Sequence, residues 1–181
     1  MRYYETFYGV YTDHWDFSYG NYSNHHYLLI KEYISEGCLT TDSSTASDGD
    51  INTFVYQNHI KRKYFIEGVI EGHVTLAASS ATSTVTSYRV TVGKANADGT
   101  DTDLFSTGWV TVNDTLEYDS TYNIGSERVY WFQIDAWQKE ELGEYDRIYV
   151  KVETDADSNC VLWHSNDATW EDVKITIPFV M

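Results

Sequence analysis

Tyr64-Phe65-Ile66-Glu67-Gly68-Val69-Ile70-Glu71 decides the fold. Tyr64, Ile66, Gly68 and Ile70 make one mostly apolar face, and Phe65, Glu67 and Glu71 lie on the other. The same period returns downstream. Tyr88, Val90 and Val92 alternate with Arg89 and Thr91, and Tyr130, Phe132 and Ile134 alternate with Gln133 and Asp135. Ile148, Val150 and Val152 alternate with Arg147, Tyr149, Lys151 and Glu153; Val173, Ile175, Ile177 and Phe179 alternate with Lys174 and Thr176. Successive strand residues point to opposite faces, so this pattern means half-buried antiparallel strands.

Outward from these strands, the connections carry turn chemistry. Residues 77–83 read as a small-residue loop, and residues 96–101, Asn-Ala-Asp-Gly-Thr-Asp, as a hairpin. Residues 123–126 and 155–159 are further turns. Gln138-Lys139-Glu140-Glu141-Leu142-Gly143 is the one segment expected as a helix, of one or two turns closed by glycine. Pro178 cannot donate to a ladder, which points to an edge strand near the C-terminus. Short strands at this spacing predict an all-β fold: an antiparallel β-sandwich, jelly-roll-like, over residues 51–181. Residues 1–50 are expected as an extended aromatic-rich N-terminal arm, a strand around Leu28-Leu29-Ile30 and a polar loop.

With 181 residues the chain suits one domain with a self-sufficient core. It has no run of eighteen apolar residues and no basic-then-apolar leader, so cytoplasmic synthesis and assembly are expected. Cys38 and Cys160 are too few for a secreted disulfide scaffold; two thiols is the favoured reading, with pairing left open. Twenty-eight Asp and Glu stand against twelve Lys and Arg, a net charge of −16. Nucleic-acid binders need clustered positive charge to meet phosphates, and the single basic cluster Lys61-Arg62-Lys63 does not supply it. Nucleic acid and anionic membrane surfaces are therefore excluded as expected partners.

Candidate chemistry is sparse. The six histidines stand in no zinc spacing. Asp98, Asp101 and Asp103 have the oxygen ligands of a Ca²⁺ loop, but Lys94 and Phe105 occupy end positions where such a loop needs acids. Asp155, Asp157 and Asn159 form a second weak cluster, with Cys160 where a glycine should be. In both places an ordinary strand-joining turn explains the residues. Glu67 with Glu71, or Asp135 with Glu153, would be the pairs for a glycosidase, although acids are too abundant here for a pair to carry information. No nucleophile elbow and no phosphate-cradling loop occurs. No cofactor is expected, and no enzymatic role.

The aromatics are the distinctive composition: sixteen Tyr, six Trp and seven Phe. Tyrosine and tryptophan bury large areas while keeping a polar handle, which suits contact surfaces. The expected interface is Tyr3, Tyr4, Phe7, Tyr8, Tyr11, Trp15, Phe17, Tyr19 and Tyr22 in the N-terminal zone. Trp131 lies opposite the apolar stripe of its strand. Aromatics of this kind serve either protein contact or carbohydrate recognition, in which rings stack on sugars while Asp and Asn bind hydroxyls.

Three segments carry a resemblance: Tyr88-Arg89-Val90-Thr91-Val92, residues 104–112 (Leu-Phe-Ser-Thr-Gly-Trp-Val-Thr-Val), and residues 145–153 (Tyr-Asp-Arg-Ile-Tyr-Val-Lys-Val-Glu). In style they resemble β-rich structural proteins of tailed bacteriophages and related viruses. The resemblance implies a virion component of capsid-decoration, head-fibre or tail-accessory type, bound to other virion proteins and to copies of itself. A subunit of net charge −16 would sit away from packaged DNA. A carbohydrate-binding, receptor-binding β-sandwich module is the alternative.

Overall fold

The computed structural model describes residues 1–11, 17–19, 22–25, 27–31, 42–45, 51–96, 99–164 and 173–181. Its strands, in chain order, are β1 (Arg2–Tyr11), β2 (Phe17–Tyr19), β3 (Tyr22–His25), β4 (Tyr27–Ile30), β5 (Asp42–Thr45) and β6 (Ile51–Tyr56). They continue as β7 (Tyr64–Ala78), β8 (Ser83–Ala95), β9 (Asp101–Ser106), β10 (Val110–Leu116), β11 (Tyr118–Asp119) and β12 (Ile124–Gly125). The last four are β13 (Glu127–Leu142), β14 (Arg147–Ala156), β15 (Cys160–His164) and β16 (Val173–Val180).

The fold is all-β and sandwich-like. One twelve-stranded sheet runs in the order β10-β8-β14-β6-β4-β1-β16-β7-β15-β5, with β13 paired to β7 and β9 to β8. It curls nearly into a barrel, so its two halves face one another. Among the described residues every strand pairing is antiparallel except β4 with β6. The apolar stripes of β7, β8, β14 and β16 turn inward, where Ile66, Ile70, Val90, Val150 and Ile175 are all fully buried. Tyr88 crosses between the halves: its ring lies 5.5 Å from that of Tyr130, and its hydroxyl donates to the Trp131 carbonyl at 3.0 Å.

Four features differ from the sequence-based expectation. Residues 2–11 of the expected arm, β1, lie inside the sheet between β16 and β4, with Phe7 fully buried. The segment expected as a helix at Gln138–Gly143 is strand as far as Leu142. Trp137, Gln138 and Lys139 bulge out opposite the single Glu67, between the pairs Ala136↔Gly68 and Glu140↔Ile66. A bulge breaks the two-residue period, and an exposed edge strand favours charges, so together they imitate a polar helical turn. Gly68 sits at this kink with φ 135°, a conformation that L side chains rarely adopt. The same kink interrupts the β16–β7 ladder between Thr176 and Phe179, and Pro178 occupies the gap. A missing N–H costs no ladder bond there, which is how proline is accommodated in an interior strand. Finally, β7 runs through Ala77 and Ala78, both buried, so the small-residue turn begins only at Ser79.

Candidate functional site

Strands β13, β7, β16 and β1 lie side by side, and their registers fix which outward side chains are neighbours. Trp131 pairs with His73, His73 with Lys174, and Lys174 with Tyr8. Two residues along, Gln133 pairs with Glu71, Glu71 with Thr176, and Thr176 with Thr6. Further still come Asp135 beside Val69, and Tyr4 beside Pro178. Beyond them the exposed Trp137 marks the bulge, with the Arg2 guanidinium 5.8 Å from its ring and 3.6 Å from Glu67.

A shallow groove of about 460 Å³ lies on this face, lined by Glu71, Gly72, Trp131, Gln133, Lys174 and Thr176 together with Phe132. Trp131 is 72% exposed, a large apolar ring held at the groove wall. Its backbone is fixed by the bond from Tyr88, and its ring meets the buried His73 edge-on at 4.6 Å. Opposite it, the Lys174 ammonium stands 6.0 Å from the Tyr8 ring, and the hydroxyls of Thr6 and Thr176 are 3.0 Å apart. The groove thus offers an aromatic plane, a carboxylate, an amide, an ammonium and a hydroxyl around one opening. Such a set binds a ligand with an apolar face and several hydrogen-bonding edges.

The expected interface residues fall in different places. Tyr4 and Tyr8 lie on the outer face beside the groove, Tyr3 points to one end of the sandwich, and Phe7 is core. Tyr11 ends β1; Phe17, Tyr19 and Tyr22 belong to the β2–β3 pair, and these four side chains, like all of Trp15, lie outside the described residues. The groove's polar members were visible as alternating strand residues. Their convergence was not, because it depends on the pairing of β7 with β13 and β16.

Among the described residues the Ca²⁺ candidates Asp101 and Asp103 belong to no metal-holding group. Asp98 lies outside the described residues. Asp101 is exposed, and Asp103 is engaged by Lys151 at 2.6 Å and by the Tyr149 hydroxyl. Burial alone would raise the Asp103 carboxyl, but those two hydrogen bonds, with the charges of Lys151 and Arg89, hold it below the usual range. Among the described residues no group of three or more His, Cys, Asp or Glu is placed to hold a metal. Of the acid pairs, Glu71 belongs to the groove and Glu67 faces Arg2, while Asp135 is exposed on β13 and Glu153 forms a two-point ion pair with Arg89 at 2.6 and 2.7 Å. Cys160 is a free buried thiol, and burial, its main perturbation, pushes its pKa up to about 12. It is therefore no nucleophile at neutral pH.

Asp157 has a structural task. It accepts from the Thr84 N–H at 2.7 Å, the Ser83 hydroxyl at 2.8 Å and the Asn159 N–H at 3.0 Å, tying the β14–β15 turn to the start of β8. Desolvation pushes its carboxyl up, but these hydrogen bonds outweigh it and depress the pKa. A depressed carboxylate stabilises the fold fully above its unfolded pKa of about 3.9, and the contribution is lost as pH falls through the lower folded value. Asp157→Ala is expected to cost about 1–2 kcal/mol at pH 7, a range reduced for solvent screening. The gap from wild type should close in acid, which thermal melts at pH 7 and pH 3 will measure.

No family model and no curated protein matches the chain. Solved structures do. A CocE/NonD family hydrolase from Staphylococcus aureus matches 99% of this chain with 37% of its own, at 10% identity and a TM-score of 0.59. An aminopeptidase from a marine sediment Thaumarchaeota archaeon matches 99% of this chain with 37% of its own, at 11% identity and a TM-score of 0.60. An α-amino acid ester hydrolase matches 96% with 34% of its own, at 10% identity and a TM-score of 0.51. The chain thus spans about a third of the length of the hydrolases it resembles, and at these identities the likeness is one of fold. It corrects the expectation of a chain without an enzymatic role: this β architecture is built into hydrolases, so it carries no argument against enzymatic work.

Proposed function

We propose that the chain is a recognition domain that holds a carbohydrate chain on the outer face of β13, β7, β16 and β1. One observation carries this reading: the exposed Trp131 ring opens onto Gln133, Glu71, Lys174 and Thr176 in a single groove. A pyranose has an apolar C–H face that stacks on an indole, and an equatorial rim of hydroxyls that needs donors and acceptors together. A protein contact is a poorer match, because interface centres are depleted in charge and this groove is lined by Glu71 and Lys174. The hydrolase likeness supports a module of a larger catalytic assembly, since in those chains the fold makes up about a third of the length.

Trp131→Ala is expected to weaken binding on a glycan array tenfold or more, with an unchanged melting temperature because the ring is exposed. Glu71→Gln should shift the preference among glycans. Absence of any glycan signal from the wild-type chain would overturn the reading. A second reading, contact between subunits of a virus particle, is favoured by the exposed aromatics that continue past the groove to Tyr4 and Trp137. Sedimentation separates the two: that reading requires wild-type self-association that is lost in a Tyr4→Ala, Trp137→Ala double variant.

A further inference from the structure

At one end of the sandwich, away from the outer face, a cleft of about 330 Å³ opens between β1, β6 and β7. Its floor is core: Phe7, Ile60, Ile148 and Phe179 are all buried. Its walls are the rings of Tyr3, Tyr56 and Tyr64, which carry hydroxyls toward the opening. Lys31, Lys61 and His59 stand at the rim, and Arg62 is joined to the wall by donating from Nε to the Tyr64 hydroxyl at 2.7 Å. On a chain with twelve basic residues against twenty-eight acids, this is a local reversal of charge. Among the described residues the one acid lining the cleft, Glu5, is neutralised by Lys31 at 2.7 Å.

The hydrogen-bond directions point the same way. Tyr64 oxygen accepts from Arg62 and is bonded to the Tyr3 hydroxyl. Burial and then the bond to Tyr64 raise the Tyr3 pKa, while the bonds received from Arg62 and from Tyr3 lower that of Tyr64, so Tyr3 is the donor of the pair. Tyr64 then has its own proton left to give. Tyr56 likewise accepts from Asn58 at 3.4 Å, so its O–H is left to donate. Lys61 makes no ion pair among the described residues. An occupant therefore meets an apolar floor, two phenolic donors and an ammonium.

We propose that this cleft is a binding site for a small amphipathic carboxylate, an aromatic or short aliphatic acid. Its apolar part packs between the rings of Tyr3, Tyr56 and Tyr64 over Ile60, with the core residues Phe7, Ile148 and Phe179 behind them, and its carboxylate accepts from Tyr64, Tyr56 and Lys61. The volume lies at the lower end of small-molecule pockets, which limits the ligand to about one ring with its acid arm. The site is independent of the outer groove and of its carbohydrate reading.

The test is a titration of the full chain, by calorimetry at low salt, with phenylacetate and its two isosteres 2-phenylethanol and 2-phenylethylamine. Phenylacetate is expected to bind at least tenfold more tightly than the alcohol, and the amine not at all. Lys61→Glu and Tyr64→Phe should each weaken phenylacetate about tenfold or more, while Trp131→Ala leaves it unchanged. Lys61 is exposed, so its variant retains the fold, which a thermal melt confirms. No heat with millimolar phenylacetate, equal binding of the alcohol, or binding indifferent to Lys61→Glu would each overturn the proposal.

Discussion

Phe7→Ala is expected to lower the unfolding free energy by about 3–5 kcal/mol, the range for removing a fully buried phenylalanine. Phe7 is 0% exposed, edge-on to Tyr56 at 5.2 Å and to Phe179 at 6.4 Å. Those partners belong to β6 and β16, so one side chain ties together strands that lie far apart in sequence. Both the transfer of the ring and the cavity it leaves enter the cost, and rigid strands on either side prevent collapse into the void. Domains of this kind are stable by only about 5–15 kcal/mol, so the loss is a large share of the whole. Urea denaturation should show a lower midpoint with an unchanged slope. Tyr4→Ala, three residues away on the exposed face, is the comparison and should stay within about 0.5 kcal/mol. Were β1 a loose arm, both substitutions would be silent; equal small effects would therefore contradict the sheet order.

That contrast marks what sequence patterning reveals and what it hides. The alternation in the first half of β7 and in much of β14 and β16 identifies strands because buried positions there alternate with half-exposed ones, whereas the second half of β7 and much of β8 are buried on both faces. β1 escapes the same test. Tyrosine recurs on both of its faces, with Tyr3 turned to the cleft and Tyr4 outward, so no apolar stripe separates from a polar one. Trp131 is legible as a ring on the wrong side of its strand, and it is exposed. Its groove is not legible. Period two assigns a residue to a face but never to a neighbour, and Gln133 meets Glu71 only through the β7–β13 register. The cleft is hidden for a related reason: Lys31, Tyr56 and Lys61 are brought to Tyr3 by the closure of the sheet. The likeness to hydrolases lies deeper again, because at about 10% identity what is shared is the fold, with few shared residues to read it from.

The second large effect is expected from Gly72→Ala. A Cβ at this position would stand 2.1 Å from the Lys174 carbonyl oxygen, 2.8 Å from Cζ of Phe132 and 3.0 Å from Cα of Ile175. Two of these atoms are backbone of the paired strand β16, which cannot swing aside as a side-chain tip can. The β7–β16 ladder itself must open, and that ladder joins the edge pair β7–β13 to the rest of the sheet. Overpacking a well-filled site typically costs 1–3 kcal/mol; with backbone as the obstacle, about 3 kcal/mol or more is expected. Gly108→Ala separates this cause from the usual one. Gly108 has φ 66° and nothing within 4 Å of its Cβ position, so its substitution carries only left-handed strain, about 1–2 kcal/mol. Gly72 has no such φ, and its requirement is one of space. Binding should follow the same division. Gly72 lies between Glu71 and His73, the β7 partners of Gln133 and Trp131, so spreading β7 from β16 moves Glu71 and Trp131 away from Lys174 and Thr176. At a temperature where both variants remain folded, Gly72→Ala should lose ligand at the outer groove while Gly108→Ala keeps it. If both bound equally, the four-strand face could not be the binding surface.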